Sequence, residues 1–241
     1  MRSLVPLNRA LSKLGILSRS QATEAIRAGR VRVNDTVVRD PSTLVVPEAA
    51  RITLDGAPQR KGAWRTLLLH KPRGVVTTRR DPQGRKTIYD VIGDEGRGLI
   101  AVGRLDLATS GLLLLTSDTQ LAEWITNPAN EVPRIYTVTV RGSVAAEEAR
   151  RLLSGIESGG DRLAASGVTI RKTSGRETHL TLELREGKNK EVRRLFAAIG
   201  HEVTRLKRIK VGGLELGRLE PGQWRELSRQ ELAAAFPHRR T

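Results

Sequence analysis

The 241-residue sequence predicts an α+β fold in two parts. A small N-terminal α/β module spans residues 1–62, and a larger domain with a mixed, mainly antiparallel β-sheet and flanking helices spans 63–241. Three observations predict this. Strand-like runs outnumber helical stretches and lie near each other, which suits a mixed or antiparallel sheet better than a doubly wound one. The stretch GAPQRKGAW (56–64) is Gly, Pro and basic residues, the composition of a linker. The length also suits a small domain plus a medium one.

Taken in order, Leu7, Ala10, Leu11 and Leu14 recur at helical spacing, and Gly15 stops that helix. Ser18 with Gln21 forms a capping box that opens a second helix through Ile26, ended by Gly29. VRVN, an Asn34-Asp35 turn and TVV read as a hairpin, and ARITLDG adds a strand. From Arg65 onward, LLLH and GVVTT are short apolar runs separated by the turn Lys71-Pro72-Arg73-Gly74. LLLLT (112–116) is a continuous apolar strand, expected to be buried on both faces. A helix from about Thr119 to Ile125 stops at Asn127-Pro128, and residues 135–141 alternate as a strand. AAEEARRLL is a helix ended by Gly155, HLTLELR another alternating strand, and Asn189 to Ile199 an amphipathic helix before Gly200. TRLKRIKV is a basic strand, WREL a short one, and Ser228 with Glu231 caps a final helix.

Composition narrows the function. Lys+Arg number 42 against 26 Asp+Glu, a formal net charge of +16, while aromatics are only 3%. A hydrophobic share of 38% fits a soluble globular chain, and no apolar run approaches the roughly 18–20 residues of a membrane span. The start, MRSLVPLNRALSK, does not read as a secretory signal, so a cytoplasmic protein is expected. Zero Cys removes disulfides, thiolate nucleophiles and cysteine-ligated zinc. The positive excess points to a polyanion, and nucleic acid is the commonest one available. Both parts are cationic: 11 Lys+Arg against five Asp+Glu before residue 63, and 31 against 21 after it.

The available chemistry is limited. The four His, at 70, 179, 201 and 238, show no metal-ligand spacing, so no metal is expected. GRKT (84–87) and GKNK (187–190) are not P-loops, GGLELG (212–217) lacks dinucleotide spacing, and Ser110 is in no nucleophile elbow. Any catalysis must run without a cofactor on Asp, Tyr, Arg or Lys. One segment stands apart, VGRLDLATSGLLLLTSD (102–118). There Asp106, beside Arg104, is either an ionised carboxylate in a partly dry pocket or a turn-capping Asp paired with Arg104, and structural ion pairs are the commoner case.

GRLDLATSGLLLLT nevertheless resembles, nearly residue for residue, the signature of the RsuA/RluB/RluE/RluF family of ribosomal RNA pseudouridine synthases. LLLHKPRGVVTT with DPQGRKTIYDVI, RIYTVTVRG, and LELREGKNKEVRRLFAAIGHEVTRLKRIKVGGLELGRLEPGQWREL resemble further motifs of that family, in the same order. Residues 7–56 resemble the ribosomal-protein-S-four-like RNA-binding module that precedes its catalytic domain. The match covers about residues 7–232 and implies a pseudouridine synthase fold.

The resemblance implies a cofactor-free isomerisation: uracil is detached from its ribose, turned, and rejoined through C5. Asp106 is then the catalytic carboxylate, as nucleophile or general base, shielded from water that would intercept the cleaved base. The uridine must leave the stack to be reached. Arg104 matches the arginine that occupies the space left by the flipped base; a plain phosphate contact is its alternative. Tyr136 matches the tyrosine that stacks on the base, and Tyr89 has no such support and reads as core. EVRRL offers two arginines. Val192, Leu195, Phe196 and Ile199 form one apolar stripe; Arg193 lies on its shoulder and Arg194 nearly opposite. Arg193 is therefore the expected partner of Asp106. Where the family usually has His-Gln or Arg-Gln this chain has Lys190-Glu191, which puts the contacts of the neighbouring turn in doubt.

Lys71 is a further substrate-binding candidate. In the small module Arg9, Lys13, Arg19, Arg27, Arg30 and Arg32 are candidate phosphate contacts; singly each reads as a solvated charge, together as an RNA clamp. The scarcity of aromatics there favours a folded hairpin over stacked single-stranded bases. The expected partner is ribosomal RNA, as a structured hairpin or within a pre-ribosomal particle, bound by a monomer. The ending GLELGRLEPGQWREL favours the large-subunit branch. The alternatives are a small-subunit enzyme and a non-catalytic rRNA-binding assembly factor.

Overall fold

The structure, a computed structural model, describes residues 4–14, 16–17, 19–47, 49–58 and 64–239, without the side chains of Lys13 and Pro58. Gly15 and Ser18, expected to stop one helix and cap the next, lie outside the described residues, as do 59–63 of the expected linker.

The N-terminal part pairs two helices, Leu7–Lys13 and Arg19–Arg27, over a small antiparallel sheet. Leu7, Ala10, Leu11, Ala22 and Ile26 are fully buried, so the helical spacing of the first stripe does place it in a core. Each such Leu or Ile contributes about 1.5–3 kcal/mol by leaving water. The hairpin Val31–Val33 and Thr36–Val37 turns through Asn34 and Asp35 at φ 48° and 68°, the left-handed pair a two-residue hairpin turn needs. Asp55 and Gly56 repeat that device, so the expected linker begins instead as a strand, Ala57–Pro58, paired with Ile52–Leu54.

In the larger domain a nine-stranded sheet runs among the described residues. Its order is Gly167–Thr173, Glu177–Leu184, Arg134–Arg141, Val203–Val211, Ser110–Thr116, Thr66–Lys71 and Trp224–Glu226, with Leu214–Glu215 and Ile100–Val102 branching from it. The pairings are antiparallel except one: Val203–Val211 lies parallel to Ser110–Thr116, with Lys207 opposite Ser110 and Arg208 opposite Gly111. The chains approach so closely there that a Cβ on Gly111, at φ 111°, would come within 2.1 Å of the Arg208 carbonyl oxygen. Only glycine fits.

The leucine run is continuous because both faces of its strand are covered. Leu113 and Leu115 join Leu67, Leu69 and Phe196 in one cluster; Leu112 and Leu114 join Leu68, Leu121 and Phe236 in another. Val192, Leu195, Phe196 and Ile199 are buried, as the stripe predicts. Helix Thr119–Thr126 starts at Asp118, whose carboxylate accepts from the amides of Gln120 and Leu121, both at 3.0 Å. Ser228 and Glu231 form the expected capping box of helix Arg229–Ala235. Tyr89 packs against the larger cluster, donating its hydroxyl to Leu99 O at 3.1 Å.

Two expectations are corrected. GVVTT is a loop that makes one bridge, Val76 to Thr87. Gly74 is left-handed, and the Thr77 and Thr78 hydroxyls bond the carbonyls of Leu105 and Arg80, which draws the segment out of a ladder. The helix expected from Asn189 begins at Glu191, because Gly187 and Lys190 have positive φ and hold a loop in front of it. No helix of the described residues is long and apolar enough to cross a membrane.

Candidate active site

Where the parallel pairing splits the sheet, a cavity of about 570 Å³ opens. It is lined by Arg104, Asp106, Tyr136 and Arg193, so the four residues singled out in three separate motifs meet in one place. Two loops form its rim: 103–109, before the leucine strand, and 186–190, before helix Glu191–Ala198.

The first loop is held from beneath. Lys71 is 0% exposed, and its ammonium donates to the carbonyls of Pro72 (2.9 Å), Asp106 (3.2 Å) and Thr109 (2.8 Å). Burial pulls this lysine down to about 8 from its ordinary 10.5, and the negative charge of Asp106 opposes that shift. The loop is further tied by Thr77 Oγ1 to Leu105 O (2.8 Å), by Gly74 N to Leu107 O (2.8 Å) and by its own turn, Thr109 N to Asp106 O (3.0 Å). Lys71 therefore does not stand in the cavity as a substrate-binding residue. All three of its protons are spent on backbone carbonyls, two of them on the loop that carries Asp106 and one on its own neighbour Pro72.

Asp106 itself is exposed, with its carboxylate on the cavity wall. It forms no ion pair with Arg104, so neither the dry pocket nor the capped-and-paired turn describes it. Arg104 is exposed on the same wall. Tyr136 is 8% exposed and stands opposite Leu182 on one side and Arg208 on the other. Arg193 reaches the cavity, as the shoulder position predicts, but donates to Val203 O at 2.9 Å instead of pairing with Asp106. Arg194 turns away to Asp161, at 2.8 Å, and to Ser158.

Three cavity residues escape the sequence reading. Arg134 is buried with its guanidinium on the carbonyls of Ile125, Val132, Arg185 and Glu186, and burial lowers its pKa. Arg208 is 5% exposed and its Nε donates to Leu112 O at 2.8 Å. Its parity with Leu206 in LKR is a usable signal, since residues two apart share a strand face. Glu191 is 4% exposed; Oε2 accepts from the amides of Gly187 (3.0 Å) and Lys188 (3.1 Å), while Oε1 is buried without a partner. Burial raises its pKa. The Lys190-Glu191 departure thus makes the contacts of the turn rather than losing them.

In the small module Arg9, Arg19 and Arg27 are exposed and meet no acid among the described residues. Arg19 and Arg27 flank one groove on the second helix. Arg30 is held by Asp55 in a two-pronged pair at 2.8 and 2.5 Å, and Arg32 donates to Asp35 O at 3.0 Å, so these two are less free for a phosphate. The side chain of Lys13 lies outside the described residues.

Residues 65–198 match the family model for RNA pseudouridylate synthase, and residues 5–50 that for the S4 domain. An uncharacterized RNA pseudouridine synthase of Aquifex aeolicus is 40% identical over 96% of this chain and 94% of its own length. The ribosomal large subunit pseudouridine synthase B of Bacillus subtilis is 35% identical over 94% of this chain and 93% of its own. Among solved structures, a crystal structure of pseudouridylate synthase aligns with a TM-score of 0.67 and 30% identity, over 95% of this chain and 98% of that one.

Proposed function

The chain belongs to the RNA pseudouridylate synthase family, and on that premise we propose that it isomerises one uridine of large-subunit (23S) ribosomal RNA with Asp106 as the catalytic carboxylate. The observation that carries the reading is the meeting of Asp106, Tyr136, Arg104 and Arg193 on one cavity. The large-subunit assignment draws on the relatives from Bacillus subtilis, Yersinia pestis and Vibrio cholerae, each named a ribosomal large subunit pseudouridine synthase B.

In the reaction the bond from ribose C1′ to uracil N1 breaks and a bond from C1′ to C5 forms; the C5 proton leaves and N1 ends protonated. Asp106 acts toward the sugar, Tyr136 stacks on the base, and Arg104 fills the gap in the RNA. Lys71 and Thr77 hold the backbone of the Asp106 loop so that the carboxylate need not be ordered when RNA arrives. The S4 domain, within residues 1–62, clamps a structured rRNA hairpin through Arg9, Arg19 and Arg27, and the enzyme works as a cytoplasmic monomer on rRNA or a pre-ribosomal particle.

Asp106→Ala is expected to abolish release of tritium from C5-labelled uridine in rRNA transcripts while RNA affinity stays within about twofold of wild type. A variant that retains full release removes the assignment. Replacing Arg9, Arg19 and Arg27 together by Ala should lower the slope of log affinity against log salt by about two to three. An unchanged slope excludes them as phosphate contacts.

A further inference from the structure

Arg208 is the one cationic side chain of the cavity that is deeply buried and still has donors to give. Arg134, equally buried, spends its guanidinium on four backbone carbonyls. Arg193 is half-buried and anchored on Val203 O, and Arg104 is exposed. Arg208 is 5% exposed, yet only its Nε is used, on Leu112 O; its two terminal nitrogens take no partner among the described residues. Its charge adds to burial in lowering the pKa of the neighbouring Arg134. The terminal nitrogens of Arg208 are therefore left facing the cavity, free to donate to a ligand that enters it.

Its backbone is fixed with unusual rigour. It stands opposite Tyr136 on one side and Gly111 on the other, at the parallel joint where no side chain could replace the glycine hydrogen. The guanidinium therefore lies on the sheet row that runs from the tyrosine to the strand following the Asp106 loop.

We propose that Arg208 contacts the substrate: its free N–H groups donate to a carbonyl oxygen of the extruded uracil, making it a base-recognising residue of the site. The proposal rests on the cavity being the active site. A phosphate would keep its charge in water and meet the exposed rim cations, Arg104 and Lys190. A base stacked on Tyr136 must instead project its edge inward, to where Arg208 lies. Uracil offers acceptors at O2 and O4, whereas cytosine has a donor amino group in place of O4, which an arginine would repel. The chemistry adds a reason for a forked donor. Turning uracil about its N3–C6 axis brings C5 to the sugar and exchanges the positions of O2 and O4. A donor fixed at that edge finds an acceptor before and after the turn.

The test uses the full-length enzyme and the rRNA hairpin it modifies, synthesised with uridine or 4-thiouridine at the target position, in single turnover with nucleoside chromatography as readout. Sulfur accepts hydrogen bonds weakly, so the wild type is expected to slow about 10-fold on the thio substrate. Arg208→Met should be about 10- to 100-fold slower on uridine and indifferent to the thio substitution, with RNA affinity and its salt slope unchanged. Arg208→Lys, which keeps a donor and safeguards against misfolding of the Met variant, should retain intermediate activity and the thio effect. A Met or Lys variant that departs from its expected thio effect, or a weakened affinity with a salt slope reduced by about one, overturns the proposal; the latter marks a phosphate contact. Asp106→Ala separates the two readings. If it stays active, the site is misplaced; if it is dead while Arg208→Met keeps the thio effect, only the role of Arg208 falls.

Discussion

The two loops that rim the cavity are anchored by different chemistry. Loop 103–109 rests on a buried cation, Lys71, which donates to three carbonyls. Loop 186–190 rests on a buried anion, Glu191, which accepts from two amides with one oxygen and leaves the other bare, and on Arg134, which donates to the Glu186 carbonyl at its start. The cation is fully used and its loop carries the carboxylate proposed to do chemistry. The anion is half used, and its loop carries Asn189 and Lys190 on the cavity rim, while Lys188 is held by Glu186 and the Arg162 carbonyl. The contrast sets the Asp106 loop, held under its carbonyls, against a loop whose amides are held by a carboxylate with one oxygen to spare.

The sharpest way to break this comparison is Lys71→Met. Three carbonyls lose their donor, so stability should fall by about 2–4 kcal/mol, read from the urea midpoint. The single-turnover rate should fall about 100-fold through displacement of Asp106, with RNA affinity little changed. A stable, active Met variant would mean that Thr77 and Gly74 suffice to hold the loop.

Titration tests the same clamp more gently. The lysine's pKa in the folded protein, about 8, lies below its ordinary 10.5. The unfolded chain therefore binds more protons between these values, and this group makes the fold more stable as pH rises from about 8 to 10.5. The neutral amine keeps two protons for three carbonyls, so the rate should fall, by about 10-fold, as pH passes about 8. Activity and stability move in opposite directions there. An alkaline fall that persists unchanged in Lys71→Met would belong to another group.

How much of this was legible in the sequence depends on whether a residue's partner is local. Val192, Leu195, Phe196 and Ile199, the Ser228–Glu231 box and the Asn34-Asp35 turn are periodic or short-range signals, and the structure has them where the pattern puts them. Asp106 and Tyr136 stood out through family motifs, and Arg193 through those motifs and a helical wheel. Lys71 was misread because its partners, Asp106 and Thr109, lie 35 and 38 residues away. Arg208 was hidden for a similar reason. Parity with Leu206 hints at its face, but among the four cations of TRLKRIKV the register with Tyr136 and Gly111 singles it out. The strand Gly167–Thr173 carries four exposed residues on an outer edge, so its apolar alternation is confined to Val168 and Ile170.

The second loop should respond less than the first. Glu191→Ala removes the acceptor of the Gly187 and Lys188 amides, and RNA affinity should weaken about 5- to 10-fold with the single-turnover rate at saturation nearly unchanged. A loss in that rate equal to the loss in affinity would give both loops the same task.

Glu191→Gln is the smallest and most discriminating change. The amide oxygen can still accept from both backbone amides, and its NH2 group replaces the oxygen that has no partner. RNA affinity should therefore stay within about twofold of wild type, since a geometric clamp needs an acceptor and not a charge. Stability should nonetheless separate the two proteins. Burial raises the glutamate's pKa above its ordinary 4.5, so the unfolded chain releases this proton first and the wild type loses stability as pH rises from 4.5 to the folded value. The glutamine variant has no such loss. Its advantage in urea midpoint should grow with pH over that interval and then level off. If the variant instead loses RNA affinity as far as Glu191→Ala does, the loop needs the negative charge itself, and its anchoring is as exacting as that of the catalytic loop.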